Sequence, residues 1–361
     1  MKHLAAAVAA FALALPMVAQ TSQKITAGKS NEYGLVYSLP KTALDIYIEA
    51  EITDERPGEF YNYARRHLGI TDAITAPRST ATVKDVIIVP RGVADPDNRW
   101  VAQFKNGTSV FMNLSPENLP MSVNTDETAS SVTPAIPVAR PAAPSPLDTP
   151  EARQAVTQDM ARSSATSKKA ELAAQRIFEL RETRSDILSG QAENPPADGD
   201  AMKLVLNNLA AQEAALTAMF AGVRQTRTEV RRYSFEPDSA DTSAEVVARL
   251  SAVDGLIEAD NLAGAPITLY ISVLERGELP ADEKGVTTTF PKGGLAYNIP
   301  GTALVSVSWQ GRTVASAEIP VAQLGVVFGL NPALFTDKKE PYSLIYYTTT
   351  GSVVKLEPAA Q

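Results

Sequence analysis

The side chains that carry covalent and acid–base chemistry are scarce in this sequence. It has two histidines and no cysteine among 361 residues. That excludes thiol nucleophiles, disulfides, zinc ribbons and iron–sulfur ligation. A serine–histidine–aspartate triad, a histidine zinc site or a histidine base would have to use His3 or His67. His67 falls on an apolar helical face beside Leu68 and reads as a packing residue. Ser38-x-x-Lys41 and Ser352-x-x-Lys355 have the spacing of acyl-transferring serine–lysine enzymes, but both lie in β-patterned segments and not on one helix. Gly28-Lys29-Ser30 ends like a phosphate loop, yet Gln23 stands where the first glycine of that loop belongs.

Carboxylates and amides are the remaining candidates. Asp45, Glu49 and Glu51 share the polar face of one strand pattern, where a glycosidase pair could be drawn and a solvated face is the plainer account. Asp95-Pro-Asp97-Asn98 lacks the central glycine and distal glutamate of a calcium loop and reads as a turn. Arg184 and Glu213 fall near two helical stripes and suit an ion pair that sets helix register. Gln323, inside the apolar run 321–328, suits an amide that satisfies backbone groups. Trp100 and Trp309 share parity with apolar neighbours and point inward, so a sugar platform would rest on whichever of Tyr346 and Tyr347 is more exposed. No residue is assigned as catalytic, cofactor-binding or metal-ligating, and no cofactor is expected. A net charge of −8 also argues against nucleic acid, which selects a clustered basic face.

The elements that would position these groups follow from composition and period. Lys2 and His3 precede an apolar run over residues 4–15, Pro16 breaks it, and Ala19-Gln20 offers a cleavage point. Residues 1–19 are therefore expected to be a secretory signal peptide, whose loss leaves His67 as the single histidine. No later run is long enough to span a membrane as a helix. Residues 24–125 read as a first β-rich α+β unit. Its signals are a strand alternating from Leu44 to Ile52, a strand over 83–89, and a hairpin 100–114 turned at Asn106-Gly107. A short helix holding Phe60, Tyr63 and His67 stops at Gly69. Residues 126–148, with five prolines, read as an extended linker.

Thr149-Pro150-Glu151 opens a helical segment to residue 224. It is expected to contain an antiparallel helical hairpin over 170–189 and 201–222. Residues 225–358 read as a second β-rich unit. A short helix is expected at 244–250, with turns at Gln310-Gly311 and Thr350-Gly351. The expected fold is thus α+β, with two mainly antiparallel β-rich units separated by the proline-rich linker and the helical hairpin.

One stretch occurs twice. Residues 34–44, GLVYSLPKTAL, align with residues 294–304, GLAYNIPGTAL. Each reads as a strand, a proline-marked bend and a second strand, with Pro300-Gly301 suited to a type II turn and Pro40 at the same corner. Either the segments converge on a good hairpin or the two β units share an ancestral element.

Residues 34–44, 61–69 (YNYARRHLG), 177–190 (IFELRETRSDILSG), 196–203 (PADGDAMK) and 319–327 (IPVAQLGVV) together resemble a family of secreted Bacteroidota proteins catalogued as domain of unknown function 4831. The resemblance implies an exported protein and supplies no catalytic residues. In that setting Asp238-Ser239-Ala240 is similar to a three-residue O-glycosylation signal of such envelopes. Two readings remain. The first is a non-catalytic envelope module that binds or assembles with an envelope protein or a glycan, with no nucleic acid and no transmembrane segment after signal cleavage. The alternative is a carboxylate-dependent hydrolase or carbohydrate-active protein.

Overall fold

Apolar residues at every second position make strands, and here they make very long ones. The computed structural model describes residues 21–24, 35–103, 110–130, 134–195, 199–281, 285–337 and 339–359. The signal segment 1–19, Gly28-Lys29-Ser30 and the Asn106-Gly107 turn lie outside the described residues. In chain order, β1 is Thr21–Lys24 and β2 is Leu35–Arg56. After a 3-10 turn at Tyr61–Tyr63, α1 is Ala64–Leu68. Then come β3 (Arg78–Gln103), β4 (Met112–Leu114) and β5 (Pro120–Val123). The helices follow as α2 (Pro150–Ala155), α3 (Gln158–Arg162), α4 (Thr166–Ser189) and α5 (Asp200–Ala221). The second run of strands is β6 (Val223–Phe235), β7 (Thr242–Ser251), β8 (Gly255–Ile257), β9 (Ala265–Glu275), β10 (Leu295–Trp309) and β11 (Arg312–Leu330). Last are α6 (Ala333–Thr336), β12 (Tyr342–Tyr347) and β13 (Ser352–Pro358).

The protein is α+β with antiparallel sheets, as its period-two patterns require. The strands before and after the helices interleave in space. One sheet has the order β1-β3-β2-β6, a second β11-β10-β9-β7-β8, and a third β13-β12-β5-β4. The first two face each other across one core, in which Leu44, Ile46, Ile48 and Ile52 of β2 pack with Val305 and Val307 of β10 and Ile319 and Val321 of β11. Full burial of each such side chain stabilises by roughly 1.5–3 kcal/mol. A second core joins the starts of β2 and β10 to the third sheet through Tyr37, Leu295, Leu344, Tyr346 and Trp100.

The helical segment forms as its sequence dictates. Thr149 caps α2 by accepting the Ala152 N–H at 3.2 Å, and Pro150 follows at the first helical position. Residues 163–165 separate α3 from α4. The hairpin α4–α5 buries Ala170, Ala173, Ile177 and Leu180 against Leu216 and Phe220, together with Phe60 and Ala64. Gly69 and Gly190 end α1 and α4 in the left-handed conformation, at φ 69° and 72°. The described part of the linker ends in a 3-10 turn at Pro146–Asp148 and is tied to β6. Arg140 and Thr228 exchange backbone hydrogen bonds of 2.9 and 2.8 Å, and Gln225 donates to Ala143 O at 2.9 Å.

Three local expectations are corrected. Residues 244–250 belong to β7 and not to a helix. The β-branched pair Val246-Val247 fits a pleated strand paired with β9, and Ala248 and Leu250 alternate into the shared core. Among the described residues of the expected hairpin 100–114, the two arms do not pair with each other. Residues 100–103 pair with β1 and β2, while β4 pairs with β5 in the third sheet, where Met112 and Leu114 reach the apolar core around Val123 and Leu344. Pro40 and Pro300 do not turn the chain. Each sits at a bulge in one continuous strand, with register shifts at Ser38/Pro40 and Ile299/Gly301. Gly301 is needed there because a Cβ would lie 2.5 Å from Glu275 O. The turns Gln310-Gly311 and Thr350-Gly351 do form, the first with φ of 49° and 75° at its two central residues.

Candidate functional site

A cleft opens where the first sheet meets the third. It has a volume of about 750 Å³ and is lined by residues 88–94 of β3, Asp45 of β2, the β4–β5 turn with Ser115 and Glu117, Pro134 of the linker, and Tyr347, Thr348 and Thr349. That volume falls in the range of small-ligand and peptide sites. Ile88, Val89, Val93, Leu119 and Met121 make the lining largely apolar.

Each polar group in the cleft is placed by a strand or a turn. Asp45 sits on the face of β2 away from the shared core, and its side chain is 7 % exposed. Its Oδ2 accepts from Arg91 Nε on the neighbouring strand at 3.2 Å and lies 3.8 Å from Arg232 Nη1 on β6. Its Oδ1 is buried without a hydrogen-bond partner, as is Thr349 Oγ1. A buried acceptor without a donor is uncommon, because it forfeits hydration for nothing in return. Arg91 is half exposed, so part of its guanidinium faces the open cleft. Glu117 is exposed at the rim and accepts from Ser115 Oγ at 2.9 Å. Gly92 lets the β12–β13 turn close over β3, since a Cβ there would lie 1.9 Å from Thr348 O.

A smaller cavity of about 180 Å³ lies where the two proline bulges meet, lined by Pro40, Lys41, Asp95, Asn98, Asn298 and Gln323. Gln323 does what an amide in an apolar strand should do. Its Oε1 accepts the Thr42 N–H at 2.8 Å, and its Nε2 donates to Thr42 O at 2.8 Å and Pro237 O at 3.0 Å. β6 pairs with β2 only as far as Leu44, so the side-chain amide takes up the ladder two residues further on, at Thr42. Lys41 pairs with Glu236 at 2.7 Å. That hydrogen bond raises the lysine pKa, slight burial opposes it, and Glu236, Asp95 and Asp97 add attraction.

The other residues singled out in the sequence are scattered. His67 packs against Phe220, with ring centroids 6.4 Å apart. Glu213 holds Arg184 at 2.9 Å and also Arg181 at 2.6 Å, bridging the two helices. Glu51 pairs with Lys84 at 3.0 Å. Asp95 accepts the Asp97 N–H at 3.0 Å, which makes the expected turn. Trp100 is buried and stacks on Phe290 at 5.4 Å, Trp309 packs at the edge of the shared core, and Tyr346 is buried. Tyr347 is therefore the more exposed tyrosine, and it lines the large cleft. Among the described residues no cluster of histidine and acidic side chains is arranged to hold a metal ion. Sequence reasoning found Asp45 but missed Arg91 and Thr349, because their convergence depends on the β2–β3 register and on a turn distant in sequence.

The family comparison decides what the chain is related to. The model of a domain of unknown function, DUF4831, matches residues 33–354. The chain belongs to the DUF4831 family. Neither a curated protein nor a solved structure matches it. The DUF4831 match spans both runs of strands and the helices between them, so the interleaved sheets lie within one family unit. Among the described residues no helix is long and apolar enough to cross a membrane, and without cysteine the chain has no N-terminal cysteine to lipidate.

Proposed function

We propose that this DUF4831 chain is an exported protein of a Bacteroidota envelope and works there as a non-catalytic binding or assembly module. The export part rests on the apolar run 4–15 and the Ala19-Gln20 junction. The binding part is carried by the 750 Å³ cleft, whose walls are largely apolar and whose one buried carboxylate is already engaged by Arg91. Apolar walls with a few fixed polar groups suit recognition, whereas glycoside hydrolysis asks for two working carboxylates facing each other across a bond.

The test combines crosslinking in native envelopes with a polysaccharide panel. A photo-crosslinker at Val93 should capture one envelope component reproducibly, and the same group at exposed Leu262 should not. The mature chain should begin at Gln20 by mass. Capture of self alone, together with turnover of any polysaccharide, would replace this reading with the hydrolase.

A further inference from the structure

Each edge of the first sheet is paired in part with a short segment. β1, four residues long, covers β3 at residues 100–103, and the linker bridges β6 at Arg140. β3 is 26 residues long, and among the described residues nothing pairs with its outer edge before Trp100. The cleft opens on this stretch, which is unpaired on that side among the described residues. Consecutive residues 88–94 line it, side chains of both faces together, as happens when a strand is seen from its edge.

The chemistry of that edge is specific. Pro90 cannot donate to a ladder and is tolerated where its nitrogen faces outward. Alternation then points the N–H groups of Ile88 and Gly92 outward as well. On the face away from the core, Val89, Arg91 and Val93 follow one another at period two. Arg91 is held through Nε by Asp45, lines the cleft and keeps about half of its side chain exposed. Asp45 and Thr349 both line the cleft, and Asp45 Oδ1 and Thr349 Oγ1 are buried without a hydrogen-bond partner.

We propose that residues 88–94 of β3 form a docking edge for an extended segment of another polypeptide, which adds to the sheet as a further strand. An acidic side chain of that segment meets Arg91, and apolar side chains two positions to either side meet Val89 and Val93. This inference rests on the binding-module reading and names its partner class. Cross-strand pairs of this kind supply the selectivity, and main-chain hydrogen bonds supply the affinity. The fold already pairs a short segment with each edge of this sheet, β1 as a strand and Arg140 through a single bridge.

The probe is a displayed library of short random peptides, selected on the full mature chain. Enriched sequences should carry the order apolar, any, acidic, any, apolar. One synthetic binder is then N-methylated at alternate amides. Methylation in the edge-facing register should weaken binding about tenfold or more, the equivalent of losing one or two main-chain hydrogen bonds, and methylation in the other register should not. Amide exchange at Ile88 and Gly92 should slow when the unmodified peptide binds. Arg91→Met should abolish the acidic preference, and Arg91→Lys should keep it. Binding that ignores N-methylation in both registers, or protection confined to other parts of the chain, overturns the docking edge. So does a library without binders while a glycan panel protects the cleft, although binding itself then stands. Turnover of a glycan overturns both readings.

Discussion

The hairpins β2–β3 and β10–β11 use one backbone device for two purposes. In the first, Ser38 pairs with Arg99 and Pro40 with Ala94, so Leu39 alone faces residues 95–98. In the second, Ile299 pairs with Val326 and Gly301 with Val321, so Pro300 alone faces residues 322–325. The bulges lie one residue apart in the repeated segment, at Leu39 before Pro40 in the first copy and at Pro300 itself in the second, and line the same small cavity. The extra residues of the first, Asp-Pro-Asp-Asn, form a turn of their own. Those of the second, Ala-Gln-Leu-Gly, send Leu324 into the shared core and Gln323 across to Thr42. A bulge fixes where a strand bends, and the residues in it decide whether the bend faces water or ties two sheets together.

The largest expected effect tests whether the hairpins depend on one core. Ile48→Ala in β2 should cost about 2–5 kcal/mol, because the cavity sits among side chains of both sheets. Val305→Ala in β10 should cost somewhat less, in proportion to the smaller group removed. Followed by urea unfolding with tryptophan fluorescence and circular dichroism, both variants should move the same transition. Two separable transitions, each sensitive to one variant, would show that the hairpins fold as independent units.

The next comparison is of glycines. Gly92 in the first hairpin and Gly325 in the second would each place a Cβ 1.9 Å from a backbone carbonyl oxygen, of Thr348 and Ile299 respectively. Alanine at either site should cost about 1–3 kcal/mol, the ordinary cost of overpacking a site that cannot yield. Equal costs would fit the shared device. A neutral Gly92→Ala with a costly Gly325→Ala would show that only the second bulge is held tightly.

The amide of Gln323 separates the two bulges in function. Gln323→Leu leaves the Thr42 N–H and C=O without their partners and should cost about 1–3 kcal/mol. Asn98→Ala, in the solvent-facing bulge, should stay within about 0.5 kcal/mol of the parent. Chemical denaturation of the two variants side by side would check this, and matching values would remove the distinction between an inward and an outward bulge.

How far the sequence foretold these features depends on how local each one is. The helix signals at Thr149 and Gly69, the helical hairpin, and the alternation from Leu44 to Ile52 were all legible, since each is decided within one or two turns or strands. Gln323 was legible because a buried amide must find partners wherever it lies. Residues 244–250 were misread because Val247 and Leu250 also satisfy a helical spacing, and only pairing with β9 decides against it. The proline bends read as turns because Pro40 and Pro300-Gly301 have turn chemistry, and only the pairing of both halves with the same neighbouring strand shows that each strand is continuous. The cleft was hidden for a stronger reason. Asp45, Arg91 and Thr349 meet only through strand register and a turn from the far end of the chain, which no period encodes.

The smallest expected effect again compares equivalent positions of the repeat, Lys41 in the first hairpin and Gly301 in the second. Only the first carries a charge, and its hydrogen bond to Glu236 holds the lysine pKa above the ordinary 10.5, with Asp95 and Asp97 adding to the pull. A basic group raised by folding contributes stability that is fully present below its unfolded pKa. That contribution is lost as pH rises through the folded value. Denaturation midpoints of the parent and of Glu236→Gln should therefore differ by a small constant through neutral pH and converge only above about pH 10.5. Buried Tyr346, whose pKa burial also raises, weakens both proteins alike in that range and so cancels from the difference. Added salt should narrow the gap, because Lys41 and Glu236 are partly exposed and their attraction is screened. A gap that persists unchanged at high pH and high salt would mean that Glu236 stabilises the first bulge through packing, and that charge is not what distinguishes the two hairpins at this position.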